Sequence, residues 1–171
     1  SNFIYALFIN FIKLNIKFIG MIIRKIKSKD NTKISSIIRQ VIIEMKAPKI
    51  GTAYADPYLN FLSEDFLRPR TIYYVLEHNK VILGGAGINF LNQFNSDVCE
   101  LQKMYFLKDA RGRGWGEIMI NKCLDFAKIN NFKSCYIETF STMKKAQKLY
   151  LKKGFNYING PLGLTGHNNC D

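Results

Sequence analysis

A glycine-rich stretch between a predicted strand and a predicted helix has residue types suited to binding a charged ligand. It comprises Arg111, Gly112, Arg113, Gly114, Trp115 and Gly116. Because glycines lack side chains, a ligand can approach the backbone closely, and the first N–H groups of a helix are unpaired donors at the positive end of its dipole. The stretch is therefore suited to a pyrophosphate. Its spacing matches neither the P-loop nor the dinucleotide-binding fingerprint, so the motif alone does not identify the ligand.

Two glutamates in predicted strands are candidates for proton transfer. Glu100 precedes the glycine-rich stretch, and Glu138 follows the apolar residues 135–137. A carboxylate in an apolar strand is costly to bury unless it is paired, which makes such a residue a candidate for function. For Glu138 the alternative is a solvated strand end, and the sequence leaves both interpretations open.

The hydrophobic pattern predicts the elements that hold these residues. Asp30 is expected to cap a helix whose apolar side chains recur at helical spacing up to Met45, and residues 46–70 predict loops with a short helix near 58–62. Loops of that length often shape a binding site. Strands are predicted at 21–26, 71–77, 81–91, 98–107, 134–139 and 155–158. The remaining helices are predicted from the glycine-rich stretch to about 129 and over 143–153.

The fourth of these strands and the glycine-rich stretch together resemble one part of the GNAT superfamily of acyl-CoA-dependent N-acyltransferases. In that family a strand with an apolar-Tyr-apolar pattern is followed by a loop of the form R-x-x-G-x-G. The matching residues are Met104, Tyr105 and Phe106, followed by Arg111, Gly114 and Gly116. The spacing between the two patterns is that of the family.

A second motif of the same family lies further along the chain. The family's later helix ends in Tyr-x-x-x-Gly-Phe, which is matched here by Tyr150, Gly154 and Phe155. The resemblance covers about 100–158 and implies an α/β (α+β) fold, with a mixed, largely antiparallel central sheet and helices on both faces. Few residues follow Phe155, so the family's closing C-terminal strand is expected to be missing.

The resemblance implies acetyl-CoA as the co-substrate. No metal is expected, because the chain lacks the local pairs of cysteine or histidine ligands that usually indicate a zinc site. Backbone groups of Met104 and Phe106, on either side of Tyr105, are expected to pair with the pantetheine arm, while residues 111–116 hold the pyrophosphate. The family commonly has an asparagine at the position of Met143, where it bonds the cofactor arm. That contact is therefore not expected here.

The family's reaction, as the resemblance implies it, is a direct attack of a substrate amine on the thioester. Such a reaction needs a base for the amine proton and an acid for the departing thiolate. Tyr150 stands at the position of the family's acid, and a phenol with a reference pKa of about 10 keeps its proton at neutral pH. The alternative is that Tyr150 is a core aromatic residue. Glu100 and Glu138 both remain candidates for the base, alongside a route through water or neither residue, with Glu100 slightly ahead because Glu100 and Gln102 fall on one strand face.

Composition limits the classes of function. The chain has 171 residues, of which 47% are hydrophobic and 22% charged, which is the balance of a globular protein. Its formal net charge of +12 indicates an anionic partner, such as nucleic acid, an anionic membrane or a phosphate-rich cofactor. A basic nucleic-acid-binding module is therefore one alternative, although no recognised motif accompanies the lysines of the last helix. A non-catalytic acyl-CoA-binding sensor with the same fold is another.

The sequence does not identify the acceptor, which is expected to be a primary amine of a small molecule or a peptide. Nucleic acid is not expected as a partner, and a homodimer is left open. The four cysteines are widely spaced and are interpreted as free thiols of a protein in the reducing cytoplasm. They are Cys99, Cys123, Cys135 and Cys170.

The two ends of the chain are interpreted differently from its middle. Residues 1–20 are interpreted as an apolar N-terminal extension before a natural start at Met21, and 21–171 as a single acetyltransferase domain. The uninterrupted apolar run of the extension is shorter than the roughly 20 residues that a spanning helix needs, so no transmembrane segment is predicted.

Overall fold

The protein folds around a five-stranded sheet. The computed structural model describes residues 20–163, so most of the N-terminal extension and Cys170 lie outside the described residues. The strands are β1 (Met21–Lys25), β2 (Ile72–His78), β3 (Val81–Phe90), β4 (Val98–Phe106) and β5 (Ser134–Tyr136). They lie side by side in chain order, and each neighbouring pair is antiparallel except β4 and β5, which are parallel. The predicted mixed, largely antiparallel sheet is confirmed.

Helices cover both faces of this sheet, as predicted. They are α1 (Asn31–Glu44), α2 (Leu62–Asp65), α3 (Trp115–Ile129) and α4 (Lys144–Lys152). Successive side chains of a strand point to opposite faces, so Tyr73 and Val75 of β2 pack with α1, whereas Leu76 packs with α3. Two apolar clusters, one on each side of the sheet, therefore form the core. The short helix expected near 58–62 is a 3₁₀ turn, Pro57–Phe61, that leads into α2.

Asp30 occupies the residue before α1, as predicted, but its carboxylate does not cap the helix. Instead it accepts hydrogen bonds from the Arg24 guanidinium at 2.6 and 3.0 Å and from the Lys27 N–H at 2.8 Å. Arg24 also donates to Glu77 on β2. The predicted capping interaction is wrong because a guanidinium on the neighbouring strand takes the carboxylate.

The strand predicted at 155–158 is also wrong. The Phe155 N–H donates to the Tyr150 carbonyl at 3.1 Å, and the two rings lie 6.0 Å apart, so Phe155 completes the end of α4. Within the described residues β5 is the edge strand of the sheet next to β4. Among the described cysteines, Cys99 and Cys123 are buried free thiols, as predicted, and Cys135 is a half-buried one.

Candidate active site

A cleft opens where β4 and β5 stop pairing. The parallel ladder joins Val98–Glu100 to Ser134–Tyr136 and then ends. The predicted strand at 134–139 is therefore too long, because residues 137–139 lie beyond this ladder. One wall of the cleft is residues 100–105 of β4, the other is residues 137–140, and Ala53, Met143 and Tyr150 complete the lining. Both walls of the cleft thus carry residues that were predicted from the sequence to be functional.

A bulge in β4 lies in this wall. Gly85 of β3 pairs with Tyr105 and Gly87 pairs with Gln102, so Lys103 and Met104 together face a single residue of β3. Lys103 has the left-handed φ of 51°, and its carbonyl accepts a hydrogen bond from the buried Tyr73 hydroxyl at 2.8 Å. A bulge re-aims side chains and interrupts pairing, and it is common next to active sites.

The glycine-rich stretch forms the turn into α3. Gly112 and Gly114 have φ values of 70° and 88°, a left-handed region that glycine enters at little cost. A Cβ built at either position would meet nothing within 4 Å, so the backbone there faces open space. The Ile118 N–H donates to the Gly114 carbonyl at 3.1 Å, so the Glu117 N–H lies at the open end of the helix. These features fit a pyrophosphate.

The side chains of this stretch have other partners. Arg111 donates to the Phe106 carbonyl at 2.6 Å and to Glu44 of α1 at 2.7 Å, so its guanidinium ties the loop to β4 and α1. Trp115, the first residue of α3, is 6% exposed and its side chain packs in the core. Arg113 is exposed. What the loop offers a ligand is therefore mainly its backbone.

Gly116 lies one residue inside α3 and allows three elements to meet. A Cβ at this position would lie 3.4 Å from Leu149 of α4 and 3.6 Å from Met104 of β4. Met104 and Tyr105 line the cleft, whereas Phe106 is buried with α3. The three residues predicted to run beside the pantetheine arm therefore lead from the cleft to the glycine-rich turn.

Tyr150 lies on the face of α4 that borders the cleft. It is 6% exposed, and among the described residues its hydroxyl makes no hydrogen bond. Burial raises the pKa of this phenol well above its usual value, so it is protonated at neutral pH. Tyr150 is both a core aromatic residue and a residue of the cleft lining, so the two interpretations offered for it are not exclusive.

Among the described residues, Glu100 is the carboxylate whose pKa is raised most. It is 2% exposed and lines the cleft at the last ladder pair of β4. Burial raises the pKa of Glu100 to about 7, while the hydrogen bond from Gln102 and the positive charge of Lys103 lower it. The Gln102 amide donates to its carboxylate at 2.5 Å. Such a group exchanges its proton near neutral pH, as a general base does.

Glu138 lines the opposite wall of the same cleft. Its carboxylate accepts a hydrogen bond from the Tyr136 hydroxyl at 2.8 Å. The structure thus brings both candidate bases and Tyr150 to one cavity. It differs from the prediction in placing Glu138 beyond the end of β5 and not within it.

Two residues near the cleft were missed in the sequence. Lys103, whose side chain is 7% exposed, pairs with Asp56 at 3.1 Å, and a lysine in a strand interior was the available signal. Tyr136 bonds Glu138, and the spacing of two residues along a strand places such a pair on one face.

Met143 lies at the start of α4 and lines the cleft, where its thioether accepts a contact from the Thr139 hydroxyl at 4.0 Å.

The chain matches known proteins in sequence. The sequence model described as the Acetyltransferase (GNAT) family covers residues 39–155. The chain belongs to this family. The GNAT protein is also 40% identical over 152 residues to YjgM of Escherichia coli K12, named an uncharacterized N-acetyltransferase, a match that spans 88% of this chain and 90% of the relative. The predicted acyl-CoA-dependent acetyltransferase is thereby confirmed.

Solved structures share the fold of this GNAT acetyltransferase. A GNAT-family acetyltransferase of Staphylococcus aureus Mu50 superposes with a TM-score of 0.72 at 21% identity, over 81% of this chain and 84% of that one. A predicted acetyltransferase of Clostridium acetobutylicum, solved with acetyl-CoA, gives a TM-score of 0.66 at 22% identity, over 86% and 99%.

Other properties of the described part of the chain concern membranes, metals and charge. Across residues 20–163 no helix is both long and apolar enough to cross a bilayer. The same residues hold no cluster of three or more side chains of the types that bind a metal ion.

On α4, Lys152 and Lys153 pair with Glu117 of α3 at 2.9 and 2.8 Å, so part of the basic surface joins the two helices beside the cleft.

Proposed function

We propose that this acetyltransferase transfers the acetyl group of acetyl-CoA to a primary amine of a small molecule or peptide by direct attack. The observation that carries the proposal is the single cleft bordered by Glu100, Glu138 and Tyr150, with β4 leading from it to the glycine-rich turn. The clostridial relative solved with acetyl-CoA supports the choice of donor. The aminoglycoside acetyltransferase AAC(6')-Iy, solved with a bisubstrate analog of CoA and acetylneamine, supports an amine acceptor.

Acetyl-CoA would bind mainly through the backbone. Residues 111–116, with the Glu117 N–H, would hold the pyrophosphate, because their turn combines left-handed glycines with an open helix end. Residues 104–106 would run beside the pantetheine arm. Arg113, which is exposed at this turn, would add a positive charge near the phosphates.

In the reaction the amine nitrogen bonds to the thioester carbon and the carbon–sulfur bond breaks. Glu100 would take the proton that the nitrogen loses, directly or through one water, since burial places its pKa near 7. Tyr150 would give its hydroxyl proton to the departing sulfur, since burial keeps the phenol protonated. Glu138 is the alternative base. Glu100→Gln and Glu138→Gln distinguish the two, because the variant that lacks the base loses the acidic limb of its pH–rate profile.

The experiment that tests the proposal is a thiol-release assay with acetyl-CoA across a panel of amines, peptides and aminoglycosides, together with calorimetry of acetyl-CoA binding. We expect binding and amine-dependent release. Binding without release for any acceptor would instead favour a non-catalytic acyl-CoA sensor. An absence of binding would exclude both functions.

Tyr150→Phe tests the acid. The substitution preserves the ring that packs with Phe155 and removes only the hydroxyl. We expect turnover to fall on the order of a hundredfold, the low end for general acid catalysis, with acetyl-CoA affinity unchanged. Tyr157→Phe, on a tyrosine that is 73% exposed and bonds Gln147, is the matched control. Equal turnover in the two variants would return Tyr150 to a packing role.

A further inference from the structure

The position of Tyr136 suggests a role that acts through another residue. It is the last residue of β5, and it pairs in register with Glu100, the last residue of β4 that pairs with β5. Paired residues of neighbouring strands point to the same face of a sheet, so the Tyr136 ring and the Glu100 carboxylate lie on the same side. Tyr136 is 8% exposed and is not part of the cleft lining.

The Tyr136 hydroxyl is bonded on two sides. It donates to Glu138 Oε1 at 2.8 Å and accepts from the Leu162 N–H at 3.3 Å. The second bond orients the hydroxyl, because the backbone donor occupies its acceptor side and directs its proton toward the carboxylate. The described chain after α4, residues 153–163, thereby contributes one fixed contact to the site.

We infer that Tyr136 is a positioning residue that holds the Glu138 carboxylate beside Glu100, so that Glu138 supplies charge to the site while Glu100 exchanges the proton. This inference rests on the proposed function. The division of roles is typical of paired carboxylates whose environments differ. Here Glu100 is enclosed and bonded by a neutral amide, whereas Glu138 is bonded by a phenol.

The electrostatics agree with this geometry. Burial is the main reason for the raised pKa of Glu100, and the Glu138 carboxylate raises it further. Burial and the bond to Glu138 raise the pKa of Tyr136 to about 12, so the phenol keeps its proton throughout the range in which Glu100 titrates.

The other polar groups around Glu100 come from three elements. On β4, Lys103 lowers the pKa of Glu100, and it is itself paired with Asp56 of the 46–70 loop. On β3, Asn89 lies opposite Glu100 in register and accepts a hydrogen bond from Arg68. Glu138 is therefore the negative group whose removal changes the field at Glu100 without removing one of these contacts.

The test measures the titration of Glu100 and the rate profile in the same proteins. Protein labelled with ¹³C at the glutamate carboxyl carbons is titrated by NMR, with Glu100→Gln used to assign the signal. In Glu138→Gln we expect the midpoint of Glu100 to fall by on the order of half a pH unit, because a negative neighbour has been removed. In Tyr136→Phe we expect a smaller fall, because the released carboxylate can turn toward solvent.

The acidic limb of kcat/KM for the acceptor should move to lower pH in the same order. Tyr157→Phe, which removes a hydroxyl from an exposed tyrosine, should leave both the midpoint and the limb in place. A Glu100 midpoint that stays or rises in Tyr136→Phe would overturn the inference, whatever the variant's thermal stability. Because the NMR titration needs no turnover, an inactive wild-type protein would contradict the proposed function alone.

Discussion

The two sides of the cleft are built in different ways. On the side of the glycine-rich turn, the residues that would hold the cofactor are nearly continuous in sequence, from Met104 to Glu117, and they offer mainly backbone groups to open space. On the side of the two glutamates, the proposed acceptor side, polar side chains bond one another. Lys103 pairs with Asp56, which is distant in the chain, and Tyr136 bonds Glu138, two residues further along.

This difference has a physical consequence. A backbone site depends on local conformation, so it tolerates changes of neighbouring side chains but not the loss of a left-handed glycine. A side-chain site depends on tertiary contacts and on burial, so it responds to single changes of charge. We therefore expect the functional residues of the acceptor side to lower the free energy of unfolding measurably, and those of the cofactor side not to.

The largest expected effect is on the cofactor side. Gly114→Val forces a β-branched residue into a φ of 88° and places its side chain where the ligand would lie. Losing two charge-assisted hydrogen bonds costs about 3–6 kcal/mol, so we expect acetyl-CoA affinity measured by calorimetry to fall more than about a hundredfold.

The control for backbone strain is Gly160→Val. Gly160 has a φ of 87° and equally open surroundings, but it lies outside the glycine-rich turn. Both variants should lose about 1–2 kcal/mol of stability from the left-handed conformation, and only Gly114→Val should lose affinity. Equal affinities in the two would mean that the turn does not hold the cofactor.

The next effect concerns the stability cost of the acceptor side. Because the pKa of Glu100 is raised to about 7 in the folded state from an ordinary value of 4.5, its contribution to stability is fully present below pH 4.5 and is lost as pH rises through 7. Glu100→Gln should therefore raise the free energy of unfolding by about 2 kcal/mol at pH 8 and by little at pH 4.

Urea unfolding at the two pH values measures this difference. The exposed Glu64→Gln serves as the control and should show little change at either pH. A Glu100→Gln protein that is less stable than wild type at pH 8 would show that the carboxylate is satisfied by its surroundings and is not held at a cost.

The smallest expected effect concerns the loop that covers the acceptor side. The Asp56 carboxylate pairs with Lys103 and also accepts from the Tyr58 N–H at 2.9 Å, so the ion pair links the β4 bulge to the start of the 3₁₀ turn. Lys103→Met should raise KM for the acceptor roughly fivefold, with acetyl-CoA affinity unchanged, since a partly exposed ion pair contributes about 1 kcal/mol.

Asp56→Asn and the double variant complete a cycle for this pair. If the ion pair acts as a unit, the double variant should be no worse than either single one. Additive effects on KM would mean that Lys103 and Asp56 act on the acceptor separately.

Several features of the site could be predicted from sequence because they are local. The left-handed turn at Gly112 and Gly114 and the position of Tyr150 one turn before Gly154 depend on residues that are neighbours along the chain. The alternation of strands and the spacing of apolar residues on α1 are local in the same sense. Short-range sterics and periodicity determine such features wherever the chain folds.

Other features were decided by contacts that residue periodicity does not predict. The Asp30 carboxylate bonds the Arg24 guanidinium and not the helix end, and residues 155–158 form no strand because Phe155 packs back on Tyr150. The sequence favoured Glu100 only slightly over Glu138, since each is a carboxylate in or beside an apolar strand. Only the tertiary structure encloses Glu100, because burial and desolvation depend on what the rest of the chain packs around a group.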